Sequence, residues 1–93
     1  MTGPKPRYVR SEAVLTRHAA TDTLLLGLGS DSVVVLRGSG PTIWGLLRRP
    51  MSLDALIEAL AHRYDVDPRQ IQDDVERTVR TLTEDGLLAE VAA

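Results

Sequence analysis

The sequence predicts an α+β domain in which a three-stranded antiparallel sheet is followed by three helices. Three observations lead to this class. Short apolar runs separated by polar or glycine-containing turns fill the chain up to Leu36. Beyond Arg37 the spacing of apolar residues changes to that of helices. A chain of 93 residues also has room for only one hydrophobic core.

The N-terminal part of the chain is predicted to hold a tail and two strands. Residues 1–7 read MTGPKPR and are predicted to be a flexible tail, which leaves residues 8–93 as the single domain. Tyr8–Leu15 is predicted to be one irregular strand, and Thr23–Leu28 the second. A turn is expected between them at His18–Asp22.

The third predicted strand, Ser32–Leu36, gives the strongest strand signal in the chain because it contains three consecutive valines. Gly29–Ser32 has the composition of a hairpin turn and joins it to the second strand. Two interpretations are open: a buried central strand, or an edge strand available to the backbone of another chain. Natural edges carry lysine, proline or bulges, and the run SVVVL has neither lysine nor proline.

Three helices follow, and each begins with a recognisable signal. Pro41 suits the first turn of a short helix that ends before Pro50. Ser52 is the expected cap of the second helix, and Asp67 that of the third, with Gln70 completing a capping box. The apolar stripes of the second and third helices are Leu53, Leu56, Ile57, Leu60 and Tyr64, and Ile71, Val75, Thr78, Val79 and Leu82.

Two further positions complete the expected core. Gly86 is the predicted end of the third helix, after which the chain turns back onto the core. Trp44 falls on one face of the short helix together with Ile43 and Leu47, and we interpret it as a core anchor rather than a stacking platform for a ligand.

Composition excludes several classes of function. The formal net charge of −2 gives no reason to expect nucleic acid, and without cysteine no disulfide or thiol nucleophile is available. The start has no secretory signal, and no apolar run is long enough to span a membrane, so a cytoplasmic protein is expected. No common catalytic motif occurs, and His18 and His62 are far apart without companion ligands. We therefore predict no enzyme activity, no metal and no cofactor.

Two blocks of sequence resemble the PqqD-like family, the recognition elements for precursors of ribosomally synthesised and post-translationally modified peptides (RiPPs). Residues 24–47 read LLLGLGSDSVVVLRGSGPTIWGLL, and residues 52–88 read SLDALIEALAHRYDVDPRQIQDDVERTVRTLTEDGLL. The matching positions are Leu25, Leu26, Leu28, Leu36, Gly40, Ile43, Trp44, Leu47, Leu53, Ile57, Leu60, Tyr64, Val66, Asp74, Val75, Leu82, Gly86, Leu87 and Leu88. The family's asparagine after the third strand is Arg37 here, and its hairpin glycine is Asp31.

The resemblance implies a winged helix-turn-helix-like fold that binds the leader of a precursor peptide and presents it to a maturation enzyme. The expected enzyme is a leader protease of a lasso peptide pathway, and a radical-SAM enzyme is the second candidate. In this family the leader pairs with the third strand and lies in a cleft against the third helix. The residues placed at that site are Ser32, Val33, Val34, Val35, Leu36, Arg37, Ile71, Asp74, Val75, Arg77, Thr78 and Leu82.

Two alternatives remain at this point. A winged-helix module that binds DNA has the same order of helices, but Asp67–Gly86 carries six acidic residues against three arginines, which disfavours contact with a major groove. A dimerisation module would pair the third strands of two copies. A monomer or a weak homodimer is expected.

Overall fold

The computed structural model describes residues 5–27 and 33–92 and confirms an α+β fold. The chain forms β1 (Arg7–Arg10), β2 (Val14–Ala19), β3 (Asp22–Gly27), β4 (Val33–Leu36), α1 (Gly40–Leu46), β5 (Met51–Ser52), α2 (Leu53–Tyr64), α3 (Pro68–Glu84) and β6 (Leu88–Val91). Within this part of the chain no helix has the length and apolar character needed to cross a membrane.

The expected three-stranded antiparallel sheet is present and has the order β2–β3–β4. Its first strand was placed wrongly by the sequence, because Tyr8–Leu15 is not one strand. The chain leaves β1 at Arg10 and starts β2 only at Val14. The turn is also shorter than predicted: only Ala20 and Thr21 separate β2 from β3, and Ala20 has a positive φ of 55°. The predicted turn Gly29–Ser32 lies outside the described residues.

A second antiparallel sheet, with the order β5–β1–β6, was not predicted. Arg7, which the sequence placed in the tail, pairs with Ser52 on one side and with Val91 on the other. The Ser11 backbone N–H donates to the Leu87 carbonyl at 3.0 Å, and the Ser11 hydroxyl donates to the Gly86 carbonyl at 2.8 Å. The two ends of the domain are thus joined in one short sheet.

The helix signals read from the sequence are confirmed. Ser52 accepts a hydrogen bond from the Ala55 N–H at 3.1 Å. Asp67 accepts from the Arg69 N–H at 2.9 Å, and the Gln70 side chain accepts from the Asp67 N–H at 3.0 Å, which completes the capping box. Gly86 follows α3 with a φ of 77°, the left-handed conformation expected after a helix end.

The cap at Asp67 makes stability depend on pH in acid. Its pKa is lowered chiefly by the hydrogen bond from the Arg69 side chain, and also by the Arg69 backbone N–H. A lowered pKa means stabilisation that is complete above the unfolded-state value of about 4 and is lost as the pH falls through the folded-state value. We expect Asp67→Ala to lower the melting temperature by a few degrees at pH 7 and to differ little from wild type near pH 2.

Thermal unfolding followed by circular dichroism at several pH values checks this expectation. Asp73→Ala, which removes an exposed carboxylate from the same helix without removing a cap, is the control. An equal loss at pH 7 and at pH 2 would contradict the assigned role.

One core cluster joins residues of β3 and β4 with residues of α1, α2, α3 and β6. Its buried residues are Leu25, Leu36, Ile43, Trp44, Leu47, Leu56, Ile57, Leu60, Val75, Val79, Leu82, Leu87 and Leu88. Trp44 is 1% exposed, which confirms it as a core anchor. Its indole N–H donates to the Thr16 hydroxyl at 3.1 Å, and the Arg10 guanidinium lies 4.8 Å from the ring centroid.

Gly40 allows α1 to start directly against the end of β4. A β-carbon added there would lie 3.0 Å from the Leu36 β-carbon, which is tighter than ordinary contact. We expect Gly40→Ala to destabilise the domain by about 1–3 kcal/mol, because the core would have to shift. Gly45→Ala on the same helix meets nothing within 4 Å and is expected to be neutral or stabilising. Urea unfolding of both variants tests this difference, and equal stabilities would contradict it.

Candidate functional site

The open edge of β4 is the main candidate site. β4 pairs with β3 from Thr23↔Leu36 to Leu26↔Val33, and no strand of residues 5–27 or 33–92 pairs with its other side. The predicted third strand is therefore an edge strand, and not a central one. A row of backbone N–H and C=O groups along this edge is free to bond another strand.

Side chains of β4 alternate between two surfaces. Val34 and Leu36 face the core, where Leu36 is buried and Val34 packs against the core cluster. Val33 and Val35 point to the opposite side, and are 56% and 41% exposed. An added strand would continue both surfaces, so that its own side chains would alternate in the same way.

Charge occurs only at the end of this edge. The Arg37 Nε donates to the Asp22 carboxylate at 3.3 Å, at the side where β3 begins. Because both side chains remain partly in water, the pair adds little stability. Between Val33 and Leu36 no lysine, proline or charged side chain protects the edge. Ser32, the first residue of the predicted site, lies outside the described residues.

The six predicted residues of α3 fall into three groups by burial. Val75 and Leu82 lie within the core and are each 2% exposed. Ile71 and Thr78 are half-buried. Asp74 and Arg77 are exposed and pair with each other at 3.6 Å.

The helix therefore offers a mixed surface rather than an apolar wall. Ile71 packs against the same core cluster as Val34 of β4, so the two elements border one core. The Thr78 hydroxyl already donates to the Asp74 carbonyl at 2.9 Å. Asp74 and Arg77 supply one charge of each sign. Val75 and Leu82 support this surface from beneath.

A second groove lies between the β5–β1–β6 sheet and α3. It has a volume of about 300 Å³ and is lined by Tyr8, Leu53, Glu76, Val79, Arg80, Thr83, Glu84 and Glu90. The Tyr8 hydroxyl donates to the Glu90 carboxylate at 3.2 Å. Partial burial first, and then this carboxylate, raises the pKa of Tyr8. The groove contains no residue of β4 and is therefore separate from the open edge.

The sequence did not single out the outer surface of the β2–β3–β4 sheet. We call this surface the outer sheet face and define it by Leu15, Arg17, Leu24, Leu26, Val33 and Val35. The detectable signal was the run of three leucines at positions 24–26, because a strand with apolar residues at consecutive positions presents them on both faces.

The fold and the open edge define a class: a small α+β module whose three-stranded sheet ends in an unprotected apolar strand. Residues 22–88 match the family described as Coenzyme PQQ synthesis protein D (PqqD). The match covers more than half of the chain, so the chain belongs to the PqqD family, which confirms the resemblance drawn from its sequence.

A solved structure has the same fold as this chain and aligns with most of it. It is TbiB1 in complex with the TbiA(beta) leader peptide, to which this chain is 27% identical with a TM-score of 0.77. The alignment covers 91% of this chain and 99% of TbiB1. No curated protein matches the sequence significantly.

Proposed function

We propose that this domain binds the leader region of a ribosomally synthesised precursor peptide and presents it to a maturation enzyme. The observation that carries the proposal is the open apolar edge of β4. It is supported by the likeness to TbiB1, a protein of similar fold whose structure holds a leader peptide.

In the proposed mode of binding, the leader adds a strand to β4. Backbone hydrogen bonds to the segment from Val33 to Leu36 orient the peptide, and the pockets for its alternate side chains determine which leader is accepted. The predicted contacts on α3 are Ile71, Asp74, Arg77 and Thr78, with Val75 and Leu82 beneath them. Ser32 and Arg37 complete the predicted site at the two ends of the strand.

The domain itself is proposed to be non-catalytic. By holding the leader it raises the effective concentration of the precursor at the enzyme. The first candidate partner is a lasso leader protease and the next is a radical-SAM enzyme, as the family resemblance implies; the likeness to TbiB1 supports the leader peptide itself as a partner. A short interface formed by one added strand is expected to give a dissociation constant in the micromolar to high-nanomolar range.

Fluorescence polarisation tests the proposal. The probes are two fluorescein-labelled leader peptides, the TbiA(beta) leader peptide and the leader of a short precursor reading frame identified beside the gene of this chain, together with scrambled versions of both. We expect saturable binding of the neighbouring leader and no saturable binding of its scrambled form. Equal binding of the native and scrambled leaders by the folded domain would contradict leader recognition.

The predicted contacts between α3 and the leader are best tested by substituting exposed residues. A charge at Val75 or Val79 would disrupt the core, since both side chains are 2% exposed. Arg77→Glu instead reverses an exposed charge, and we expect it to change leader affinity severalfold while the fold stays intact. Arg69→Lys, at the start of the same helix and outside the predicted site, is the control. Unchanged affinity in Arg77→Glu would remove this residue from the site.

The same open edge favours one second candidate, a dimer in which β4 of two copies pair. Light scattering over a range of concentrations, with and without the leader, distinguishes the two. Leader binding predicts that any such dimer dissociates as the peptide is added, because both would use one row of backbone groups.

A further inference from the structure

The outer sheet face presents apolar side chains in register across all three strands of its sheet. One row consists of Leu15, Leu26 and Val33, and the next of Arg17, Leu24 and Val35. Leu15 is 58% exposed, and Val33 and Val35 are also exposed. A shallow depression of about 310 Å³ runs over this surface, lined by residues that include Leu15, Leu24, Leu26 and Val33.

This surface is unusual for a sheet that already covers a core. The other side of the same sheet buries Leu25 and Leu36 against the helices. An antiparallel sheet of this kind normally alternates, with polar side chains on the solvent face. Here five of the six residues that define the outer sheet face are apolar. Leu15, Val33 and Val35 are the exposed members, and a group of neighbouring exposed apolar side chains is a surface on which a partner can bind.

The outer sheet face is continuous with the open edge of β4. Val33 and Val35 belong to both, because their side chains lie on the face while their backbone lies on the edge. A strand added to β4 would place every second side chain on the same face. Leader binding would therefore widen the outer sheet face from three strands to four.

We infer that the outer sheet face is the docking surface for the maturation enzyme, and that the enzyme reaches full affinity only when a leader strand extends this face. The inference rests on the proposed function. It also specifies the chemistry of the partner: an apolar surface carrying a carboxylate opposite Arg17.

Charge on the face supports that choice of partner. Arg17 lies in the row of Leu24 and Val35, and no acidic side chain within residues 5–27 and 33–92 forms an ion pair with it. Arg37, by contrast, is already paired with Asp22. A carboxylate on the partner would satisfy Arg17 while apolar side chains cover its neighbours.

A second copy of this chain fits the face less well. In a twofold dimer the same patch meets itself. The carboxylate in the next row on this side of the sheet, Asp22, is already paired with Arg37, so that Arg17 would face either the other Arg17 or the leucines around it. Both arrangements desolvate a guanidinium without a partner of opposite charge.

The test separates docking from leader binding by altering β2, the strand farthest from the open edge. Leu15→Ser and Arg17→Glu change the outer sheet face and leave β4 untouched. Val66→Ser and Arg49→Glu, which remove an exposed apolar group and reverse an exposed charge elsewhere, are the matched controls. Circular dichroism verifies that each variant is folded.

Two affinities are then measured for each variant. Fluorescence polarisation gives the affinity for the leader peptide from the neighbouring precursor gene. Biolayer interferometry gives the affinity for the leader protease encoded beside that gene, immobilised, with and without saturating leader. We expect leader affinity to stay within twofold of wild type, and protease affinity to fall at least tenfold in Leu15→Ser and Arg17→Glu but not in the controls. For the wild type, leader should tighten protease binding, and the protease should tighten leader binding by the same factor.

Three outcomes would overturn the inference. Protease affinity equal to wild type in both β2 variants would place docking elsewhere. If the leader does not change the affinity for the protease, the leader strand is not part of the docking surface. A concentration-dependent dimer that Leu15→Ser abolishes, with protease affinity unchanged, would assign the face to a second copy. Failure of the proposed function is a separate result, since the wild type would then not bind leader at all.

Discussion

Proline at one of two adjacent positions, Val34 or Val35, is expected to lower leader affinity about tenfold or more while the domain stays folded. Neighbouring residues of a strand direct their backbone N–H groups to opposite sides. One of these two valines therefore bonds towards β3, and the other faces the open edge. Proline has no N–H to donate and is tolerated at a strand edge.

The size of the effect follows from the hydrogen bond that is lost. Removing the outward N–H leaves a carbonyl of the bound leader without its partner, which costs about 1–3 kcal/mol, and 1.4 kcal/mol corresponds to a factor of ten in affinity. At the other position the proline breaks a bond between β3 and β4 and should lower stability instead. The pair of variants thus provides its own control.

Fluorescence polarisation with the labelled leader and urea unfolding of both variants give the two quantities needed. Strand addition predicts that one proline reduces binding with little loss of stability, and that the other reduces stability. If both variants fold and bind the leader with wild-type affinity, the leader does not pair with the open edge of β4.

Trp44→Ala is expected to destabilise the domain by about 3–5 kcal/mol, a large part of the total stability of a domain of this size. Trp44 joins three parts of the structure, because its ring is buried by the core, its indole N–H bonds Thr16 on β2, and its carbonyl accepts from the Arg10 Nε at 2.7 Å. Loss of the ring would leave a cavity beneath the β2–β3–β4 sheet and remove the partner of the Thr16 hydroxyl.

Trp44→Phe separates packing from hydrogen bonding. It keeps most of the apolar volume but has no N–H for Thr16, and we expect a loss of about 1–2 kcal/mol. Urea unfolding measures both variants. A loss below about 1 kcal/mol in Trp44→Ala would contradict the view that this residue anchors the sheet to α1.

Features encoded by neighbouring residues were predictable from the sequence. The capping residues Ser52 and Asp67, the helix end at Gly86 and the strand at Val33–Leu36 each depend on a few adjacent positions. The sequence also identified Trp44 as buried, because its neighbours Ile43 and Leu47 share one helix face.

Features that depend on distant pairing were not predictable. β1 and β6 are four residues each, and neither has the alternation that marks a half-buried strand. They pair across nearly the whole chain, from Arg7 to Val91, and no local sequence pattern predicts the sheet that they form. Because the local sequence does not show this pairing, Tyr8 and Val14 were predicted to belong to one strand.

The sequence could not predict which residues of the candidate site are buried and which are exposed. The spacing of Ile71, Val75, Thr78 and Leu82 correctly indicated one side of α3, but it cannot tell a side chain under a surface from one on it. Val75 and Leu82 proved to be core residues, while Asp74 and Arg77 are exposed. The apolar outer sheet face was missed for a related reason: a buried strand and a strand with two apolar faces have the same composition.

Amide hydrogen exchange of Val33–Leu36, resolved by NMR with and without bound leader, tests the central claim most directly. Strand addition predicts that exchange slows at alternate residues of β4, those whose N–H groups face the open edge, while the amides already bonded to β3 change little. Unchanged exchange along all of β4 at saturating leader, with protection elsewhere in the domain, would contradict the account.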